Sequence, residues 1–408
     1  MPIILILLLI PIVLWLPYAS FSSPITTIFS LGQAAGLIGA VLFAINFILS
    51  TRLQIIDTLF AGINRAYIVH HLNGVAALIF LILHPLLLMY PLGLDIIIPT
   101  LDRPAYLFGI AALLILLVLL FITLVLFKRI PYERWQATHK LLGVSFLLGG
   151  IHVFLVPSTT MSSLPLRIYM LSIITIGLLA YLYRTMFGKF MIPRTPFFVK
   201  SVTALNDTTT EIILRPGLNT LKFIPGQFIF ITTLGQTHPF SLTATKGSKE
   251  LSLAVKALGD YTTDIKKLKP DTQVLVEGPF GRFSYEYCKN PHQIWIAGGI
   301  GITPFLSMAR SIPQNSELKV HLFYAVKTRS EAVYLDELQK NPHIQLHLHE
   351  STKSGYLTAE VLKRAVPDFK KYDIFVCGPT ALMHSLRDQC KKLNIPNSRI
   401  HDEQFSLQ

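Results

Sequence analysis

Residues 67–87, YIVHHLNGVAALIFLILHPLL, are an uncharged stretch with His70 near one end and His84 near the other. A helix of about 20 apolar residues matches the thickness of a bilayer's hydrocarbon core. Histidine at that depth is costly and marks a task. The 14-residue step from His70 to His84 spans about 21 Å of helix and ends only about 40° out of register. Both imidazoles therefore face one seam.

A second apolar stretch carries His139 and His152. Two parallel helices with two histidines each can hold two stacked haems by axial ligation, for which neutral histidine is a common ligand. The 13-residue step from His139 to His152 leaves an ideal helix about 140° out of register. A tightened or bent segment would repair this, and Gly149–Gly150 is the expected place. His71 is a rival to His70, being 13 residues from His84; the shared face favours His70.

The chain has 408 residues, 51% of them hydrophobic, and the apolar excess is concentrated in the first half. Six spans are read there, at 3–19 (interrupted by Pro11), 31–50, 67–87, 104–127, 139–156 and 167–184. The first lacks the basic leader a signal peptide needs. Arg52 and Arg65, then Lys128, Arg129, Arg134 and Lys140, then Arg184, Lys189 and Arg194, flank alternate ends. The positive-inside rule then places both termini in the cytoplasm of a plasma (inner) membrane protein. Spans three and five run parallel, so His70 meets His139 at the cytoplasmic side and His84 meets His152 at the outer side. The net charge of +13 has no basic stripe with interleaved aromatics, which argues against nucleic acid. Three cysteines, Cys288, Cys377 and Cys390, all in the second half, fit a reducing compartment rather than a disulfide framework.

After Pro193 and Pro196 the pattern changes. EIILR, FIFITT, LSLAVKAL and TQVLVEG are short strand-like runs of a small antiparallel β-barrel. From about Gln293 strands alternate with helical runs, the signature of an α/β parallel sheet. The fold class is thus a multi-domain membrane protein. Residues 1–190 form a six-helix transmembrane bundle, 191–290 an antiparallel β-barrel, and 291–408 an α/β nucleotide-binding domain of Rossmann type. AGGIGITPF, 297–305, falls at a strand-to-helix turn where glycines admit a pyrophosphate. CGP, 377–379, ends the last strand of the alternation, where open α/β sheets bind ligands. Lys327 and Arg329 follow a strand with no acid read beside them, which favours NADPH over NADH.

On the histidine pairs, FxPGQF (223–228), HPFSL (238–242), KALGDYT, GPFG, GGIGITPF, CGP and the near-terminal Phe405, the whole chain resembles the NADPH oxidase and ferric reductase superfamily. Its second half is similar to the ferredoxin-NADP reductases. The resemblance implies that His238, Pro239, Phe240 and Ser241 line FAD, with Ser241 near the isoalloxazine. It implies that Lys256, Gly259, Asp260, Tyr261 and Thr262 surround the ribityl-pyrophosphate, with Lys256 able to pair with phosphate. Gly298, Gly299, Gly301, Ile302 and Thr303 would receive the pyridine dinucleotide. Cys377, Gly378 and Pro379 would lie by the nicotinamide, and Phe405 would stack on the flavin. Leu88 stands where eukaryotic oxidases carry a further histidine.

The implied activity is NADPH oxidation through FAD and two b-type haems, held by His70, His139, His84 and His152. O2 is the expected acceptor, giving superoxide, with a ferric-chelate reductase as the alternative. A quinol-linked membrane partner needs no fused dehydrogenase. A transporter needs broken helices and midplane polar residues, which are scarce here. Membrane lipid is the expected surrounding, and no obligatory protein partner is expected.

Overall fold

The computed structural model describes residues 2–98, 101–126, 129–130 and 132–403. The chain divides into two compact units, Met1–Phe60 with Arg65–Ile192, and Ala61–Asn64 with Pro193–Gln408.

The first unit is helical. It comprises α1 (Pro2–Trp15), α2 (Pro24–Leu49), α3 (Gln54–Leu59), α4 (Ile63–Leu92), α5 (Pro104–Phe121), α6 (Tyr132–His139), α7 (Leu142–Leu155), α8 (Thr159–Ser162), α9 (Leu164–Tyr181) and α10 (Gly188–Met191). Five stretches among the described residues are long and apolar enough to cross a membrane: Pro24–Leu49, Ile63–Leu92, Pro104–Leu126, Arg134–Leu155 and Leu164–Met186. The sixth expected span is shorter. α1 has 14 residues and continues only as the 3-10 turn Leu16–Tyr18. At about 1.5 Å per residue α1 covers about 21 Å, less than a hydrocarbon core.

Local chemistry explains these boundaries. Ser23 caps α2: Thr26 N donates to Ser23 Oγ at 3.3 Å, and Ser23 N donates to Thr26 Oγ1 at 3.0 Å. Pro24 opens the helix where its missing N–H costs nothing. Pro11, inside α1, removes the amide that would satisfy the carbonyl of Leu7. The Tyr169 hydroxyl of α9 donates to that carbonyl instead. Gly177 of α9 lets the helix approach α2 closely, since a Cβ there would meet Ala44 Cα at 3.0 Å. Leu72, Ile79 and Leu86 of α4, Leu114 and Phe121 of α5, and Ile168 and Leu179 of α9 stay exposed. Apolar surface on that scale fits lipid rather than water.

The second unit holds two sheets. The first contains β1 (Thr195–Ala204), β2 (Thr209–Pro216), β3 (Phe228–Thr233), β4 (Gln236–Ser241), β5 (Leu251–Lys256) and β6 (Gln273–Phe280), with α11 (Asp260–Asp264) between the last two. Its order is β4-β3-β6-β1-β2-β5, and every neighbouring pair is antiparallel. Alternate residues Phe197 and Val199, Ile212 and Leu214, Ile229 and Ile231, and Val274 and Val276 point into one core. The expected barrel is a six-stranded sheet whose edges, β4 and β5, are approached by one isolated bridge, Leu242–Leu253.

The second sheet takes β7 (His292–Gly298), α12 (Ile302–Ser311), β8 (Lys319–Val326), α13 (Leu335–Lys340), β9 (Ile344–Glu350), α14 (Ser351–Ser354), α15 (Ala359–Ala365), β10 (Asp373–Cys377), α16 (Thr380–Lys392) and β11 (Ile400–Glu403). It is parallel, in the order β11-β10-β7-β8-β9. The chain runs outward from β7 through β8 and β9, then returns to the other side of β7. The carboxyl ends of β7 and β10 therefore flank a topological switch point, where such sheets bind ligands.

Candidate functional site

The four membrane histidines fall on α4, α6 and α7. His84 and His152 face each other, with ring centroids 6.2 Å apart and planes at 74°. His84 Nδ1 lies 2.8 Å from the carbonyl of Gly32, and His152 Nδ1 lies 2.8 Å from the carbonyl of Ala105. A carbonyl can only accept, so each Nδ1 carries the proton and each Nε2 keeps its lone pair. One turn past each carbonyl stands a glycine that leaves room for the ring. A Cβ on Gly36 would meet His84 Nδ1 at 2.7 Å, and one on Gly109 would meet His152 Nδ1 at 2.7 Å. Two helices thus use one device, a carbonyl and the glycine four residues on.

His70 Nδ1 is likewise 3.1 Å from the carbonyl of Asn46, while His71 is exposed. His139 is within electrostatic reach of His70 and stacks on Trp135 at 4.9 Å. The Trp135 indole donates to Thr123 Oγ1 at 3.2 Å.

The 13-residue step is accommodated at Lys140–Leu141 rather than at Gly149–Gly150. The helix ends at His139 and restarts at Leu142. Between them Leu141 N bonds Thr138 O, Gly143 N bonds Lys140 O and Val144 N bonds Leu141 O, each three residues back. A 3-10 pitch adds about 20° per residue over an α-helix, so four to seven such residues recover about 80–140°. The Tyr181 hydroxyl donates to the Lys140 carbonyl at 3.0 Å and holds the break. Gly143 makes way for it, since a Cβ there would lie 2.2 Å from the Tyr181 ring.

These residues fit a bis-histidine metal. An iron held by two Nε2 atoms at about 2.0 Å sets the ring centroids about 6 Å apart. The anchored Nδ1 atoms are the outer-shell partners that orient such ligands.

In the second unit the FxPGQF turn is fixed by Gln227, whose Oε1 accepts from Ile224 N at 2.8 Å and whose Nε2 donates to Gly281 O at 3.0 Å. Gly226 has φ +92°, and a Cβ there would fall 1.9 Å from Phe283 O. His238 stacks on Tyr261 at 3.8 Å, Phe240 lies 6.3 Å from the same ring, and Ser241 is buried at the end of β4. Pro239 is on an edge strand, where its missing N–H is tolerated. The Tyr261 hydroxyl is buried with no hydrogen-bond partner among the described residues, and burial raises its pKa. Thr262 Oγ1 takes the amides of Leu258 and Gly259 and so shapes the start of α11 beside Asp260. The stacked aromatics and the orphaned hydroxyl suit a flavin cofactor. Lys256 Nζ pairs with Glu331 Oε2 at 2.9 Å.

At the switch point, Gly298, Gly301 and Gly378 serve close packing more than ligand approach. A Cβ on Gly301 would lie 2.2 Å from Cys377 O, one on Gly378 2.9 Å from Gly298 Cα, and one on Gly298 2.7 Å from Pro379 Cδ. Gly299 is the open one, with φ +54° and nothing within 4 Å of its added Cβ. Ile302 and Thr303 open α12, and both are buried. Cys377 is fully buried; its thiol faces Glu403 O at 3.5 Å, and burial pushes its pKa well up. Lys327 and Arg329 are exposed. An acid does stand beside them: Glu350, ending β9, accepts from Arg329 N at 3.1 Å. Phe405 lies outside the described residues.

The residues that sequence reasoning missed are Gly36, Gly109, Gly143 and Tyr181. Small residues spaced by four, Gly32 with Gly36 and Ala105 with Gly109, were a readable sign of close helix approach.

Comparison with known proteins agrees with this layout. Residues 35–150 match a ferric reductase like transmembrane component, residues 195–284 an FAD-binding domain, and residues 295–388 an oxidoreductase NAD-binding domain. The chain is 24% identical over 227 residues to the toluate 1,2-dioxygenase electron transfer component of Pseudomonas putida, covering 51% of this chain and 66% of that one. It is 31% identical over 169 residues to NADH-cytochrome b5 reductase 2 of Candida glabrata, covering 38% and 57%. It is 22% identical over 285 residues to dual oxidase 2 of Sus scrofa, covering 50% and 18%. The chain thus spans between 18% and 66% of the length of these relatives. It joins a membrane-embedded ferric reductase like component to FAD- and NAD-binding oxidoreductase domains, the order implied by its resemblance to NADPH oxidases and ferric reductases.

Proposed function

We propose that this chain is an electron-transferring oxidoreductase of the membrane that oxidises NADPH through FAD and two bis-histidine b-type haems and reduces O2 to superoxide on the outer face. In balance, one NADPH and two O2 give NADP+, a proton and two superoxide ions. The reading assigns a di-haem domain to 1–190, in which α1 completes six spans. It assigns a barrel-type FAD domain to 191–290 and a dinucleotide domain to 291–408, both cytoplasmic with the two termini. FAD supplies the change from a hydride's electron pair to single electrons, and the haems supply one-electron carriage through the membrane.

The observation that carries the reading is the His84–His152 pair, facing at 6.2 Å with each Nδ1 tied to a backbone carbonyl. Those ties leave Nε2 as the donor on both sides, and neutral imidazole is what axial ligation takes. His70 and His139 fill the same role at the other end. His238, Phe240, Ser241 and Tyr261 form the flavin's surroundings. Gly299 and the start of α12 receive the dinucleotide pyrophosphate, and the CGP turn brings Cys377 to the hydride-transfer end. Lys327 and Arg329 meet a 2′-phosphate, and the adjacent Glu350 is offset by its own ion pair with Lys353 at 2.8 Å.

The test is cytochrome c reduction by the purified protein with FAD and NADPH in air. Loss of most of the signal on adding superoxide dismutase supports superoxide formation. A dismutase-insensitive signal, with rapid reduction of ferric chelates under argon, replaces the acceptor with ferric iron. Absence of a Soret band in the purified protein removes both readings.

A further inference from the structure

The start of the parallel sheet carries a cluster that electron transfer leaves unused. Cys288, in the loop before β7, donates its thiol to Asp373 Oδ2, the first residue of β10. His401 of β11 brings its Nε2 to 3.6 Å from the same Asp373 oxygen and 4.0 Å from Cys288 Sγ. All three ligand atoms lie within 4.8 Å of one another. The cluster sits four residues up β10 from Cys377, about 13 Å along the strand and at the opposite end of the sheet from the switch point.

We propose that Cys288, Asp373 and His401 form a binding site for a zinc-class divalent ion, with solvent as the fourth ligand. A tetrahedral ion with bonds of about 2.0–2.3 Å sets sulfur and nitrogen about 3.6 Å apart and nitrogen and oxygen about 3.4 Å apart. Both values are within a few tenths of an ångström of the distances present. The sulfur–oxygen pair alone has to open, because a proton now bridges it. That proton leaves to solvent as the ion enters, as metal binding to a thiol requires.

The ligands are also held for the task. The His401 ring stacks on Phe375 at 4.5 Å, and Asp373 Oδ1 accepts from Asn290 Nδ2 at 3.3 Å. Asn290 is itself tied to Lys371 O at 2.8 Å. Cys288 and His401 are half-buried and Asp373 is buried, so an ion can enter from solvent and be partly sheltered. Thiolate, imidazole and carboxylate together favour zinc over magnesium or calcium, which take oxygen ligands. The bound ion would clamp the edge strand β11 and the 288–291 loop onto β10.

The test uses the full-length protein in detergent, stripped with a chelator and reloaded with Zn2+. Zinc is counted by elemental analysis, and its neighbours are read by X-ray absorption at the zinc edge, which haem iron does not obscure. The expected result is one zinc per chain with a single sulfur neighbour at about 2.3 Å. The sulfur signal should vanish in Cys288→Ser, and affinity should fall 10–100-fold or more in His401→Gln. Zinc should also raise the melting temperature of the parent but not of Cys288→Ser, with FAD content reporting that each variant is folded. Zinc without a sulfur neighbour, or bound equally by parent and Cys288→Ser, is an adventitious ion only and overturns the proposal.

Discussion

Gly109→Ala tests the arrangement of the His84–His152 pair most directly. The new Cβ would lie 2.7 Å from His152 Nδ1, 2.9 Å from Cε1 and 3.1 Å from Cγ. Ordinary contact needs about 3.4 Å, so the ring has to retreat by about 0.7 Å or tilt. The 2.8 Å bond from Nδ1 to the Ala105 carbonyl then stretches past hydrogen-bonding range. Losing that bond costs about 0.5–1.5 kcal/mol, and disturbing an outer-shell partner of a metal ligand typically costs 10–100-fold in affinity. The assay is haem content by pyridine haemochrome, with a reductive titration of the α and Soret bands. One of the two proposed haems should be lost or shifted in potential while the other stays. Gly36→Ala should act on the same haem through His84, so the double variant should be little worse than either single one. Gly149→Ala, whose Cβ would meet only Ala112 Cβ at 4.0 Å, is the control. A Gly109→Ala protein that keeps both haems with unchanged potentials would refute the reasoning.

Three further outcomes are expected. Tyr181→Phe removes the bond to Lys140 O, worth about 0.5–1.5 kcal/mol, and should shift the midpoint of the haem proposed at His139 while sparing the other; equal shifts in both, or none, would count against the role given to the break. Lys327→Ala with Arg329→Ala should raise KM for NADPH about 10–100-fold with little change for NADH, if each basic group makes a charge-assisted bond to a 2′-phosphate. Steady-state kinetics with both nucleotides decides this, and unchanged selectivity would assign the choice elsewhere. Burial raises the Cys390 thiol to about 11 and also raises that of Cys377. The fold binds these protons more tightly than the unfolded chain, so their contribution is whole below pH 9 and lost as pH rises towards about 11. Thermal melts across that window should show the fall, smaller in Cys390→Ala, and alkylation of the native protein at pH 8 should leave both thiols unmodified.

Much of this was legible because the signals are periodic. A 14-residue step on a helix announces a shared face, and FIFITT or KVHLFYAV announces a strand through β-branched and aromatic runs. Three strands escaped: β1, a central strand with Pro196 at its second residue, and two edges. β4 contains Pro239 and β11 reads Ile-His-Asp-Glu, and neither needs an apolar alternation, since each pairs on one side only. β11 is instead pinned by the ion pair of Asp402 with Arg387 at 2.9 Å. Long-range devices escaped for a different reason. Gly149–Gly150 looked like the place to bend, yet the break lies where Tyr181 reaches Lys140 from 41 residues away. The pairing of Lys256 with Glu331 joins residues 75 positions apart. No local pattern encodes such pairs.

The 74° between the His84 and His152 rings has a spectroscopic consequence. Neither ring is at liberty to rotate toward the other's plane, because each is tethered to the main chain of a different helix. A ferric ion held by these two crossed imidazoles would keep its two π-symmetry d orbitals nearly equal in energy, and its EPR spectrum would be expected to show one broad low-field feature in place of a three-line rhombic pattern. At the other pair His70 is tied to the Asn46 carbonyl while His139 is steadied by a stacked indole, so that centre, with one ring tethered to a carbonyl, is less constrained. The two proposed irons, chemically alike in their ligands, would be told apart by magnetism before any mutation is made.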